Sequence, residues 1–231
     1  MTPGEDDVNL DYDVDAMLER AIRLARMGTG RVEPNPRVGA LVIRGGAVVG
    51  EGYHSTYGGP HAEVKALRDA GEAARGADLL VTLEPCSTEG KTGACTAAII
   101  ATGIRRVVFA EADPSADNGG KARGVLEDAG IEVHQLPARE ATGQLISEFR
   151  TYERGTLPWV VLKWAMTADG KVATVSGQSR WISSEKSRDE VHEERARCDA
   201  VLVGRATVKA DDPELIVSRE GYEGRQPVRV V

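Results

Sequence analysis

Residues 78–95 read DLLVTLEPCSTEGKTGAC, and their reading decides the fold. The run DLLVTL has the composition of a buried strand, and Pro85 stops it. Cys86 comes directly after that stop. The stretch STEGKTG is a loop, and ACTAAIIATG, which carries Cys95 near its start, is a short helix closed by Gly103. The whole is a strand, a loop and a helix, with one cysteine at each end of the loop.

Upstream, HAEVKALRDAG (61–71) predicts a helix that ends on Gly71. RVGALVIRGGAVVGEGYH (37–54) predicts a hairpin, with β-rich runs at Val38–Ile43 and Val48–Gly52 joined by Gly45-Gly46. VDAMLERAIRLARMG (14–28) places Met17, Ala21, Leu24 and Ala25 at helical spacing, with Asp13 or Asp15 as its cap. Downstream come a strand at Arg106–Ala110, a helix at Ala122–Ala129, a strand at Ile131–His134 and a helix over Arg139–Glu153. Helices alternating with strands after an opening hairpin indicate an α/β protein, a mixed sheet inside three α/β/α layers, over residues 14–150.

After the link RGTLP the alternation restarts. Strand WVVLKWAMT (159–167), helix SSEKSRDEVHEERAR (183–197), strand DAVLVG (199–204), a helical turn and strand QPVRVV (226–231) follow in order. A strand needs neighbours, so residues 151–231 read as the front of a second domain.

Composition narrows the classes of function. The chain has 231 residues, 41% hydrophobic and 28% charged, an ordinary balance for a folded domain. No apolar run approaches the ~20 residues of a membrane span. The acidic start MTPGEDDVNLDYD predicts a flexible solvated tail over 1–13 and does not resemble an export signal, which points to the cytoplasm. A net charge of −7 disfavours nucleic acid as a partner. Three cysteines, an odd number, argue against a disulfide framework. Cys198, beside an apolar run, reads as a packing residue; Cys86 and Cys95 read as metal ligands.

His61-Ala62-Glu63 opens a predicted helix. His61, Cys86 and Cys95 supply one imidazole and two thiolates, which leaves the fourth tetrahedral position of Zn2+ open. That is the catalytic kind of zinc site. Glu63 is placed to take a proton from water and pass it to the substrate, the arrangement of zinc nucleobase deaminases.

The motifs PNPRVGA (34–40), GYHSTYGGPHAE (52–63) and LEPCS (83–87) resemble the deaminase half of the bifunctional riboflavin-biosynthesis deaminase/reductases. The long gap between Cys86 and Cys95 is a further likeness. KWAMTADGKVA (163–173), SGQSRWISS (176–184) and ATVKADDPEL (206–215) resemble the first part of that family's reductase. The resemblance implies a cytidine-deaminase-like domain followed by the start of a dihydrofolate-reductase-like α/β domain. It implies hydrolytic loss of the 2-amino group from a phosphorylated aminopyrimidine, with Asn35, His54, Lys91 and Asp113 binding that substrate.

In the second unit the resemblance implies an NADPH pocket at Ala165, Trp181, Thr207 and Asp211. It implies a reductase substrate pocket at Ser179, Arg195, Leu215 and Arg219. No glycine-rich phosphate cradle occurs in 151–231, so the expectation is that these residues do not carry the reduction unaided. Thr88 and Glu89 stand where the family has His and its neighbour, Gly93-Ala94 replaces Pro-Pro, and Ser115-Ala116 replaces Asn-Pro. Arg219 sits one place late. A zinc deaminase of cytidine, dCMP or guanine type, and an inactive zinc-stabilised scaffold that binds a pathway partner, remain as alternatives. The sequence also leaves a homo-oligomer open.

Overall fold

A computed structural model describes residues 10–88, 93–155 and 157–231. The chain divides into two compact units, Met1–Pro158 and Trp159–Val231. No described helix is long and apolar enough to cross a membrane.

In the first unit, helix α1 spans Val14–Arg26. Asp13 is its cap, and Asp13 Oδ1 accepts from the Ala16 amide at 3.0 Å. The buried stripe of α1 is Leu18, Ala21, Ile22 and Ala25, while Met17 and Leu24 lie partly buried at its edge. The hairpin β1 (Gly39–Arg44) and β2 (Ala47–Tyr53) follows, as the sequence predicts, with Gly45 and Gly46 at positive φ in the turn. Helix α2 (Ala62–Ala70), strand β3 (Asp78–Leu83), helix α3 (Cys95–Thr102) and strand β4 (Arg106–Glu111) come next. Helix α4 (Lys121–Asp128) and strand β5 (Glu132–Gln135) complete the alternation.

The sheet order is β2-β1-β3-β4-β5. β1 runs antiparallel to β2 and β3, and β3, β4 and β5 are parallel, so the sheet is mixed. All of β3 is buried, because it is central and both its faces are covered by helices. α1 contacts helix α5 (Glu140–Leu145) on one face, while α2, α3 and α4 touch in succession on the other. This is the expected three-layer arrangement. The core between the layers includes Leu41, Ile43, Leu79, Leu80, Ile99 and Leu126.

Four expectations need correction. The predicted helix over 139–153 breaks at Ile146 into α5 and α6 (Ser147–Arg154), where Ile146 leaves helical geometry with its side chain fully buried. The first unit extends to Pro158 and not to 150, since α6 is tied back to it. Arg150 pairs with Glu111 at 3.2 Å, and Arg37 pairs with Glu148 at 3.1 Å. Residues 10–13 are no solvated tail, because Leu10 and Tyr12 pack against the core; the rest of that tail, 1–9, lies outside the described residues. Residues 159–167 form no strand. Their apolar side chains are exposed, Leu162 at 77%, and among the described residues no strand pairs with this segment.

The second unit contains helix α7 (Glu185–Ala196), capped by Ser184, strand β6 (Ala200–Leu202), helix α8 (Arg205–Asp211) and strand β7 (Val228–Val230). β6 and β7 pair in parallel. Ala196, Leu215, Val217 and Pro227 are its buried apolar residues among those described.

Candidate functional site

Parallel strands β3 and β4 end at the same edge of the sheet, and the loops that leave them meet there. Such an edge is where open α/β sheets bind ligands. Cys86 lies three residues past β3, His61 is the N-cap of α2, and Cys95 is the first residue of α3. The fold therefore aims two helix N-termini and one strand end at a single point, and the positive ends of the helix dipoles face the sulfur atoms.

The ligand atoms of His61, Cys86 and Cys95 lie within 4.8 Å of one another. His61 Nδ1 is 3.2 Å from Cys95 Sγ and 3.5 Å from Cys86 Sγ. A tetrahedral ion with bonds of about 2.0 Å to nitrogen and 2.3 Å to sulfur sets those atoms about 3.5 Å apart. The donor set and its spacing thus fit zinc. The Cys95 amide also donates to Cys86 Sγ at 3.3 Å.

The electrostatics of the three side chains are coupled. Cys86 is pushed down to about 4, first by the hydrogen bond from the Cys95 thiol and then by its contact with His61, against the effect of burial. The same bond between the sulfurs, with burial, pushes the Cys95 thiol up, so the pair shares one proton. His61 is raised, chiefly by its hydrogen bond to Cys86. Glu63 is 4% exposed, and burial raises its carboxyl above the ordinary range.

His61, Glu63 and Cys86 line the floor of a cavity of about 330 Å³, a size suited to a small molecule. Asn35, His54 and Asp113 line it together with Glu63, so the structure brings the predicted first-unit site residues together. Lys91 lies outside the described residues, as does Glu89. His54 is buried, and its Nδ1 stands 3.2 Å from the Pro60 carbonyl. A carbonyl only accepts, so Nδ1 carries the proton and Nε2 accepts from Asn35 Nδ2 at 3.3 Å. This fixes the Asn35 carboxamide and leaves its oxygen available to the cavity. Burial keeps the His54 imidazole neutral by lowering it, with His61 and Lys65 adding to the effect.

Sequence reasoning missed Glu84, Asn118 and Phe149. Glu84 is 3% exposed and accepts the amides of Asp113 (3.2 Å), Gly120 (3.0 Å) and Ala122 (3.2 Å), which pins the loop carrying Asp113. The available signal was an acidic residue at the end of an otherwise apolar strand run, which must find donors once buried. Asn118 and Phe149 line the cavity from distant segments, and nothing local marks either. Burial raises Asp113, whose Oδ1 accepts from the Ser115 amide at 2.8 Å.

None of the predicted second-unit residues lines the cavity described above. Ala165 is half-buried within the 159–167 segment, Ser179 is half-buried, and Thr207 and Asp211 are exposed on α8. The Trp181 ring is exposed, with the Arg188 guanidinium 4.1 Å from its centroid. Arg195 donates to the Ile216 carbonyl at 2.5 Å, Leu215 is buried at positive φ, and Arg219 pairs with Glu193 at 3.3 Å.

Comparison with known proteins places this geometry. Residues 12–111 match the family model "Cytidine and deoxycytidylate deaminase zinc-binding region", and residues 158–231 match the "RibD C-terminal domain". The riboflavin biosynthesis protein RibD of Aquifex aeolicus is 48% identical over 93% of this chain and 60% of its own length. That of Corynebacterium ammoniagenes is 41% identical over 96% of this chain and 67% of its own. A solved Thermotoga maritima diaminohydroxyphosphoribosylaminopyrimidine deaminase/5-amino-6-(5-phosphoribosylamino)uracil reductase superposes with a TM-score of 0.83 at 44% identity. The match covers 93% of this chain and 61% of that one. The chain thus spans about 60% of the length of the first of these relatives and of the solved structure.

Proposed function

This chain belongs to the RibD family of riboflavin biosynthesis proteins, and on that premise we propose that its first unit is a zinc-dependent hydrolytic deaminase of 2,5-diamino-6-(5-phosphoribosylamino)pyrimidin-4(3H)-one. The observation that carries the reading is the clustering of His61, Cys86 and Cys95 within 4.8 Å, with buried Glu63 in the same small cavity. His61 Nδ1 and the sulfurs of Cys86 and Cys95 would hold the ion. Zinc, when bound, acidifies water and so supplies a nucleophile at neutral pH.

The chain's own groups do the remaining work. The Glu63 carboxylate takes one proton of the attacking water and delivers it to the ring nitrogen; it then takes the remaining hydroxyl proton of the adduct and passes it to the amine, which leaves as ammonia as the carbonyl forms. Burial raises its proton affinity above that of an ordinary carboxylate, which suits a group that must both accept and donate. Asn35 Oδ1, fixed by neutral His54, accepts from an N–H of the pyrimidine edge. Asp113 and Lys91 complete substrate binding in this reading.

The second unit carries the NADPH-binding and substrate-binding positions of the reductase at Ala165, Trp181, Thr207 and Asp211, and at Ser179, Arg195, Leu215 and Arg219. The lack of a glycine-rich phosphate cradle in 151–231 supports the view that these residues do not complete a reductase by themselves. Free cysteines support a reducing cytoplasmic setting, and the acidic balance supports a small-molecule substrate over a nucleic acid.

The test joins metal analysis to an ammonia-release assay of the protein and of Glu63→Gln. The expected result is one zinc in both proteins, release from the diaminopyrimidine nucleotide in the parent, and near-complete loss in the variant. Preferential turnover of cytidine, dCMP or guanine would replace the substrate assignment. Undiminished turnover by Glu63→Gln would remove Glu63 from the mechanism.

A further inference from the structure

Asn118 sits on the wall of the deaminase cavity in the loop between β4 and α4. Its side chain does not serve that loop. Glu84 already holds the loop through three amides, and Asp113 and Ser115 close its turn. Instead Asn118 Oδ1 reaches across to the segment after Cys86. It accepts from the Ser87 amide at 3.1 Å, the Thr88 amide at 3.2 Å and the Thr88 hydroxyl at 2.9 Å.

Two of those donors are backbone N–H groups, so the atom facing them must be the oxygen, and the carboxamide cannot be flipped. The acceptor is saturated. Nδ2 has no partner among the described residues and is the one polar group that Asn118 can offer a ligand. Its position along the cavity indicates which part of a ligand it meets. The floor is buried, with Glu63 at 4% exposure, whereas Thr88 is exposed and marks the mouth. A pyrimidine that reacts at the floor projects its substituents toward the mouth.

We propose that Asn118 is a substrate-binding residue whose Nδ2 donates to an oxygen of the sugar–phosphate arm, with Ser87 and Thr88 holding it in orientation. This rests on the aminopyrimidine nucleotide reading above. It makes Asn118 a determinant of selectivity for ribosylated over bare pyrimidines.

The test is Asn118→Asp, which keeps an oxygen for Ser87 and Thr88 but replaces the donor with an acceptor. Activity is measured in 1 M salt, where a Debye length of about 3 Å limits the long-range effect of the added charge on the anionic substrate. KM for the nucleotide should rise about 10-fold or more, the scale of one hydrogen bond lost with its partner left unpaired. The kcat should stay within about 3-fold of the parent and the zinc content should not change. The inhibition constant of a diaminopyrimidine that lacks the ribosyl phosphate should also be unchanged. An unaltered nucleotide KM overturns the proposal, and so does a parallel rise in that inhibition constant. If the parent protein itself fails to deaminate the nucleotide, the functional reading fails and not the role of Asn118 alone.

Discussion

Replacing Gly52 with alanine should disable the site without touching any ligand. Gly52 lies on β2 where the strand passes beneath the first turn of α2. A Cβ there would stand 2.5 Å from the Ala62 carbonyl oxygen, 2.5 Å from the Ala66 amide nitrogen and 2.7 Å from Lys65 Cβ. Ordinary contact begins near 3.4 Å, so α2 must retreat by about 0.9 Å at its N-terminus. The obstructing oxygen and nitrogen are backbone and cannot rotate away. His61 and Glu63 ride on that turn, and a misplacement of about 1 Å costs roughly 100-fold in rate. Overpacking of this kind destabilises by about 1–3 kcal/mol, a fall in Tm of roughly 3–9 °C for a unit of this size.

Gly50→Ala is the internal control. Its Cβ would meet the Ala66 oxygen and the Ala70 nitrogen, both at 2.5 Å, one turn farther from the metal. The two variants should lose similar stability by calorimetry, but Gly52→Ala should lose far more ammonia release and bind zinc less tightly. Equal activity losses in the two, or a Gly52→Ala protein with parental kcat and zinc content, would refute the claim that close strand–helix contact sets the ligand geometry.

Two other outcomes follow from the same site. In Glu84→Gln only one oxygen remains for three amide donors, so the Ala122 N–H or its equivalents face an NH2. One buried donor left unsatisfied costs about 1–3 kcal/mol; denaturant unfolding should show this loss, with a raised nucleotide KM as the 113–122 loop loosens, and no change in either would remove Glu84 as the loop's anchor. In metal-stripped protein Cys86, held near 4, is a thiolate well below neutral pH, whereas burial raises Cys198; iodoacetamide at pH 6 should therefore modify Cys86 first by peptide mapping, and equal labelling of the two would contradict the assigned contacts.

The parts of the fold that were legible in the sequence are those specified locally. Asp13 caps α1 because a short acidic side chain reaches an amide three residues on, and Gly45-Gly46 turns the hairpin because both residues take positive φ. The clustering of His61, Cys86 and Cys95 was legible because metal chemistry admits few donor types at such spacing. What escaped was set by partners far away in the chain. Residues 159–167 have the composition of a strand, but composition does not supply the neighbour that a strand requires. Ile146 interrupts a helical pattern because its burial is decided by the rest of the unit. Glu84 and Asn118 act on segments about 30 residues distant, and Asn118 followed by two glycines reads locally as turn chemistry alone.

This contrast between local and distant specification also divides the site by task. The metal half rests on backbone: two helix N-termini, a strand end and the glycine contacts that let α2 lie close on β2. The half that meets the rest of the substrate is held by side chains clasping loops, Glu84 on residues 113–122 and Asn118 on residues 87–88. Backbone packing admits few substitutions, because each moves a whole helix. A side-chain clasp can be exchanged for another with little effect on the floor of the cavity. Changes at Thr88, Ser115 or Asn118 should therefore alter which pyrimidine is accepted and appear in KM, while changes beneath α2 should appear in kcat and zinc content. The departures from the family motifs at Thr88 and Ser115 fall in the half that can vary, and the ligands and Glu63 fall in the half that cannot.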